Sequence, residues 1–278
     1  MAYALSHQAA VLSSHTSRTA ENAAAFLLPH LRPDSHVLDM GCGPGTITTG
    51  FAKLCPSGRA VGIDQSAKVI EHATALNPPS ANPNLTFQAA DILSDEGLPF
   101  PDQSFDVVFT SQTLVHLPDP VKALKEAHRV LKPDGILAMR EADSAEWYPR
   151  HPNLELYSNL LDALVKGAGG QGFHSSRAAH AWARQAGFSI DRMQRGGDLQ
   201  VYASPEERKW WGEGHIGRLE KGTESGDKLR KTVVTGLDGS KEPLGDERAD
   251  AIIADFHRWI EDVDGWYGTF QIDVLCWK

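Results

Sequence analysis

Cysteine is scarce in this chain, and the three present stand apart from one another. Cys42, Cys55 and Cys276 are scattered through 278 residues, without the paired spacing of a metal site or the density of a disulfide framework. No apolar run approaches the roughly 20 residues of a membrane-spanning helix. The opening stretch "MAYALSHQAAVLSSHTSRTAE" is too polar to read as a secretory leader. Basic charge is in deficit as well. The chain has 27 Lys and Arg against 36 Asp and Glu, a formal net charge of -9. That balance argues against broad binding to nucleic acid or to an anionic membrane surface, because both need a basic face. The histidines do not cluster in metal-ligand spacing, so no catalytic metal is expected. A cytoplasmic enzyme is the expectation that survives these exclusions.

Glycine, by contrast, is concentrated where rigidity would be expected. "HVLDMGCGPGTITTG" places Gly41, Gly43 and Gly45 directly after a short apolar run. Glycine loses more backbone freedom on folding than any other residue, so such a cluster needs a reason. Around it, apolar runs alternate with helical patterns. "HVLDM", "RAVGID", "LTFQAAD", "FDVVFTS" and "GILAMREA" read as strands; "GTITTGFAKLC", "QSAKVIEHATALN" and "DPVKALKEAHRVL" read as helices. "TAENAAAFLLPHL" carries apolar residues at helical spacing and predicts a first helix closed by Pro33. Strands alternating with helices are the pattern of a parallel sheet covered on both faces. Further on, "NLELYSNLLDALVKG" and "SSRAAHAWARQAG" predict helices, and "FSIDRMQR" and "TFQIDVLCWK" predict strands. Three helical stretches are predicted over about 205–222, 225–235 and 245–264. The expected plan is one domain over 1–278, with a cofactor-binding core over about 15–145 and a helical cap over about 146–175 and 205–264.

A strand running into a glycine turn and then a helix brings a ligand close to backbone and offers it the N–H groups of a helix start. The dinucleotide fingerprint G-x-G-x-x-G is not met, since the third glycine, Gly45, comes one residue early. Asp39 precedes the glycines, where it can hold the loop or reach a cationic ligand. Asp64 ends the next strand, where an acid can accept hydrogen bonds from ribose hydroxyls.

"VLDMGCGPG", "VGID", "AADIL" and "FDVVFTSQTLVHLPDP…LKPDG" together resemble the ordered motifs of class I S-adenosylmethionine-dependent methyltransferases. They are similar in particular to the group containing the ubiquinone and menaquinone-biosynthesis methyltransferases, over roughly residues 15 to 145. The resemblance implies an α/β, Rossmann-like, doubly wound sheet of seven strands, mostly parallel with the last antiparallel, "TFQIDVLCWK" inserting beside "FSIDRMQR". It implies S-adenosyl-L-methionine as cofactor. Gly41, Gly43 and Gly45 would pass close to its amino-acid part, and Asp64 would bind the ribose. Asp91 would face the adenine amino group, Ile92 would offer backbone N–H to the ring, and Gln65 would pack along it. Ser111 and Gln112 would line the methyl-donor end.

The acceptor side is less legible. His116 in "QTLVHLPDP" follows the fourth strand and could take a proton near neutrality, or serve as a packing residue. His15 and Arg18 precede the first helix, and Arg18 could pair a carboxylate. Trp210 and Trp211 could wall an aromatic or cationic substrate or simply pack the core. Glu141 and Asp143 could steer a cationic group or stay solvated. His174 and Arg177 follow the flexible "GAGGQG" run and could sit on a lid. The expected activity is methyl transfer to a small molecule, the methylated atom being O, N, S or C. The rivals are a regulatory protein that binds the cofactor without turnover, a nicotinamide dehydrogenase, disfavoured by the early glycine, and a nucleic-acid methyltransferase, disfavoured by the charge.

Overall fold

The computed structural model describes residues 17–235 and 239–278. A seven-stranded sheet in the order β3-β2-β1-β4-β5-β9-β6 organises it. The strands are β1 (His36–Met40), β2 (Arg59–Asp64), β3 (Leu85–Ala89), β4 (Phe105–Ser111), β5 (Leu131–Tyr148), β6 (Met193–Tyr202) and β9 (Trp266–Trp277). β1 pairs with β2 and β4, β2 with β3, and β4 with β5, all parallel. β9 runs antiparallel and lies between β5 and β6, the insertion expected for "TFQIDVLCWK".

The chain divides into two compact units. Among its described residues the first comprises 17–141, Ser176–Gly197 and Ile272–Lys278. Its central strands β1, β2, β4 and β5 are buried on both faces, while the edge strands β3 and β6 are largely exposed. Successive residues of the central strands alternate between two cores, as a pleated strand requires. Leu38, Met40, Val108, Leu137 and Met139 pack with Ala123, Leu124 and Ala127 of α4 (Pro120–Val130) and with Trp182 and Ala183 of α6 (Ala179–Gln185). Val37, Val107, Phe109, Ile136 and Ala138 pack with Ala20 and Ala23 of α1 (Ala20–Ala23) and with Ile47 and Phe51 of α2 (Thr46–Leu54). α3 (Ala67–Leu76) is capped by Ser66, whose hydroxyl accepts from Val69 N–H, and α4 by Asp119, which accepts from Lys122 N–H.

The second unit comprises Ala142–Ser175 and Asp198–Gln271 among its described residues. It holds α5 (Pro152–Gly167), α7 (Pro205–Leu219), α8 (Glu224–Lys231) and α9 (Gly245–Glu261) around a core of its own. Leu154, Tyr157, Leu160, Leu219, Ile252, Phe256 and Trp259 are its centre. A two-stranded antiparallel ribbon, β7 (Val233–Thr235) with β8 (Lys241–Pro243), completes it.

Three sequence expectations need correction. The first helix is one turn, Ala20–Ala23, with Thr19 and Asn22 forming its capping box, and the chain resumes as a 3-10 turn at Leu28–His30. Pro29, without an N–H, cannot continue an α-helix and disfavours that conformation at Leu28. "FSIDRMQR" begins as a 3-10 turn capped by Ser189, and the strand starts only at Met193. The helix expected over 225–235 ends at Lys231, where the β-branched run Thr232–Thr235 turns to strand. Among the described residues no helix is long and apolar enough to cross a membrane.

Candidate functional site

The candidate site lies in the first unit, at the carboxyl ends of β1, β2, β4 and β5. After Met40 the chain turns sharply, and the amides of Gly41 and Cys42 both donate to the carbonyl of Ile63, at 2.8 and 2.9 Å. Gly41, Gly43 and Gly45 have φ of +81°, +53° and +80°, a region that L-residues enter only at a cost. Space excludes side chains at two of them as well. A Cβ on Gly41 would lie 2.4 Å from Thr113 Oγ1, and one on Gly45 would lie 2.4 Å from the ring of Phe87. Gly45 is also the N-cap of α2 and brings no side-chain acceptor to its first turn. The helix start is thus approached by backbone alone.

Two carboxylates brace this loop. Asp39 is buried and accepts the hydroxyl of Thr48, in α2, at 2.6 Å, which ties the end of β1 to the helix that follows the loop. Burial pushes its carboxyl up to about 7, against the opposing Thr48 bond, and the charge of Asp64 adds to the rise. Asp64 is partly exposed; its two oxygens accept the amides of Gly43 at 3.2 Å and Ser66 at 2.9 Å. That bidentate hold fixes its carboxylate at the rim of the loop. Gln65, beside it, is exposed.

Asp91 is exposed and its side chain accepts the amide of Leu93 at 2.8 Å, so it also shapes its own turn. Ile92 buries its side chain in the core, which leaves only its backbone for a ligand. At the end of β4, Ser111 Oγ is buried with no hydrogen-bond partner among the described residues. Gln112 follows with φ +50°, its amide donating to Arg140 O at 2.8 Å. A positive φ on a residue other than glycine is a strained choice, of the kind that clusters at ligand sites.

The turn beyond Gln112 is held by a residue whose part in it sequence reasoning missed. Glu141 is fully buried, and its Oε1 accepts the amides of Thr113 at 3.0 Å and Leu114 at 2.9 Å. The Val115 amide contributes as well. Of the two readings weighed for Glu141, solvation is therefore excluded, and Asp143 is buried too. Burial drives the Glu141 carboxyl up to about 7, opposed by those three amides and by the nearby charge of Arg18. His116 ends the 3-10 turn Leu114–His116. Its imidazole is pushed down to about 4, first by desolvation and then by Arg18, which corrects the expectation that it titrates near neutrality. Arg18 is thus close enough to act on both. The signal for Glu141 was register: Ser111 lies opposite Arg140 across the β4–β5 ladder, which brings residue 141 to the turn after β4.

The remaining candidates fall elsewhere. His15 lies outside the described residues. His174 and Arg177 are exposed in the 3-10 run Phe173–Ala178. Trp211 is packed within the second unit, stacked on Tyr202 at 4.6 Å and on Tyr267 at 5.1 Å, with His215 edge-on at 4.8 Å. Trp210 tilts against Trp211 at 5.6 Å. Among the described residues no group of His, Cys, Asp and Glu has a metal-binding arrangement.

These residues fit S-adenosylmethionine. A cradle that excludes Cβ atoms, an acid at the end of β2 and an orphaned hydroxyl at the end of β4 are groups suited to a polar ligand at the strand ends. The comparisons agree. The methyltransferase domain family matches residues 31–191. "Probable methyltransferase ltbC" of Aspergillus luteorubrus is 35% identical over 288 residues, 99% of this chain and 97% of that protein. Demethylmenaquinone methyltransferase of Lactococcus lactis is 34% identical over 131 residues, 47% of this chain and 48% of that protein. The crystal structure of YcgJ from Bacillus subtilis shares the fold, with a TM-score of 0.57, 19% identity and coverage of 92% of this chain and 97% of that one. The chain belongs to the methyltransferase domain family and is an S-adenosylmethionine-dependent methyltransferase.

Proposed function

We propose that the acceptor is a small molecule and that methyl transfer takes place at the ends of β4 and β5. The observation that carries this reading is the buried, orphaned Ser111 hydroxyl beside the strained Gln112, both at the strand end facing the glycine loop. In this reading Gly41, Gly43 and Gly45 lie along the amino-acid part of the cofactor and Asp64 receives the ribose hydroxyls. Asp91, the backbone of Ile92 and Gln65 border the adenine, and Ser111 and Gln112 line the methyl-donor end. The acidic balance of the chain supports a small acceptor over nucleic acid. The three cysteines are buried and free, which supports a reducing, cytoplasmic setting.

The cofactor supplies a methyl already activated on a sulfonium. What remains for the protein is alignment of a nucleophile and exclusion of water, a task worth up to ~7–11 kcal/mol in favourable intramolecular models. The Glu141 amide clamp fixes the turn carrying His116, so the imidazole is presented in one position. Held neutral at pH 7, it can accept a hydrogen bond from an acceptor hydroxyl or amine. As a base of lowered pKa it suits orientation better than strong proton abstraction. The helical segments 146–175 and 205–264, with His174, Trp210 and Trp211, the exposed Arg177 and the half-buried Arg18, are assigned to acceptor selection; His15 keeps the same proposed role.

Isothermal calorimetry with S-adenosylhomocysteine and with NAD, followed by transfer of labelled methyl into fractionated small-molecule extracts, tests the reading. Binding of the first compound alone and label in a low-mass product are expected. Label found only in nucleic acid or protein would overturn the small-molecule assignment. A regulatory role without turnover has no observation in its favour.

A further inference from the structure

We infer that Glu141 is a buried counter-charge for the sulfonium, and that it lets the protein hold the charged methyl donor more tightly than the neutral product. The inference rests on the cofactor placement proposed above. Four observations support it.

Glu141 is wholly buried at the end of β5. One of its oxygens, Oε1, is occupied by the amides of the turn after β4, at 3.0 and 2.9 Å for Thr113 and Leu114. The other, Oε2, is buried with no hydrogen-bond partner among the described residues. A buried carboxylate left half satisfied carries a large desolvation cost unless a cation or donor meets it. Finally, the residue it grips is the one that closes on the loop, since a Cβ on Gly41 would strike Thr113 Oγ1 at 2.4 Å. Glu141 is therefore one hydrogen-bonded residue away from the glycine cradle.

Among the described residues the charges that act on it are few. Arg18 acts on Glu141 and on His116, and His116 is held neutral at neutral pH. Arg140, its chain neighbour, is bound by Asp273 through two contacts of 2.8 Å. Asp39 and Asp64 are near enough to act on one another and form an acidic pair at the ends of β1 and β2. An ammonium group is common to donor and product, so what this pair does to it cancels when the two ligands are compared. The sulfonium charge is lost when the methyl leaves. The ligand atom that distinguishes the two compounds is the one Glu141 is placed to sense.

In the ligand-free protein the Glu141 carboxyl sits at about 7. A cation bound beside it draws out the ionised form and releases a proton, so donor affinity rises with pH while product affinity does not. After transfer the ligand no longer brings a positive charge to meet Glu141, which favours departure of the product. Glu141 touches the reaction only through this field and through the turn it holds. It is a positioning residue.

Calorimetry of the wild type and of Glu141→Gln with S-adenosylmethionine and S-adenosylhomocysteine, at about pH 6 and about pH 8, is the test. Glutamine keeps an oxygen for the three amides and removes the charge. The donor-to-product affinity ratio of the wild type should rise with pH. At the higher pH, Glu141→Gln should lower that ratio by about tenfold, the effect of one pKa unit, with product affinity nearly unchanged. Donor binding near neutrality should release a proton in the wild type, read from the buffer dependence of the heat, and not in the variant. A wild-type ratio that is flat with pH overturns the inference without reference to any variant, as does an equal ratio in the two proteins. Failure of the wild type to bind either compound would instead strike the cofactor placement.

Discussion

The amide of Gly43 donates to the carboxylate of Asp64 at 3.2 Å, so the loop after β1 is tied to the end of β2 before any ligand arrives. The other oxygen of Asp64 takes the amide of Ser66 at 2.9 Å. Asp64 thus fixes the loop while presenting its carboxylate at the rim. Asp64→Ala should weaken S-adenosylhomocysteine binding by roughly 10- to 150-fold, from loss of a charged hydrogen bond worth ~1.5–3 kcal/mol. Calorimetry beside a circular dichroism melt checks this. Unchanged affinity would remove Asp64 from the cofactor site.

Gly45 combines a φ of +80° with a Cβ position 2.4 Å from the Phe87 ring. Gly45→Ala should cost about 2–3 kcal/mol of stability, from backbone strain plus overpacking. Adding Phe87→Ala should relieve only the collision, and that change opens a cavity of its own. A urea titration showing Gly45→Ala at wild-type stability would refute the steric reading of the loop.

Arg140 and Asp273 form a buried ion pair in which one guanidinium nitrogen meets both carboxylate oxygens at 2.8 Å. Asp273→Leu alone leaves a buried charge and should cost about 3–5 kcal/mol, whereas Arg140→Met with Asp273→Leu should recover most of that loss. The prediction fails if the double variant is no more stable than the single one.

Glu141 ordinarily titrates near 4.5 and is raised to about 7 in the folded chain. A raised acid contributes stability that is fully present below its unfolded value and lost as pH rises through the folded one. Without cofactor, Glu141→Gln should therefore gain on the wild type between about pH 4.5 and 7, by up to about 3 kcal/mol. Denaturant unfolding of both proteins across that range measures the difference directly; a constant difference contradicts the raised carboxyl.

His116 is shifted the other way, to about 4 from an ordinary 6.5. Its contribution to stability is present above 6.5 and is lost as pH falls toward 4. Its ring resonances should show no titration between about pH 5.5 and 8. His116→Ala should lower kcat by roughly 10²-fold through lost alignment, leaving the shape of the pH–rate profile above about 5.5 unchanged. An acidic limb near 6.5 that vanishes in the variant would restore His116 as a general base.

Local sequence determined much of this protein. The alternation of apolar runs specified the buried strands, because both faces of a parallel sheet are covered and every residue of β1 from Val37 to Met40 is buried. The glycine spacing specified the turn, since few residues other than glycine adopt the φ of +81°, +53° and +80° found there. The capping residues Ser66 and Asp119 announced their helices through bonds only three residues long. Tertiary structure alone decided the rest. Sequence leaves Glu141 open between steering a cation and staying solvated, because nothing near it in the chain shows what covers it; the parallel register that sets Ser111 opposite Arg140 brings it to the amides of Thr113 and Leu114. Arg140 finds Asp273 across 133 residues. The titration of His116 was out of reach for the same reason: an imidazole takes its pKa from desolvation and neighbouring charge, and both are supplied by residues that only the folded chain gathers.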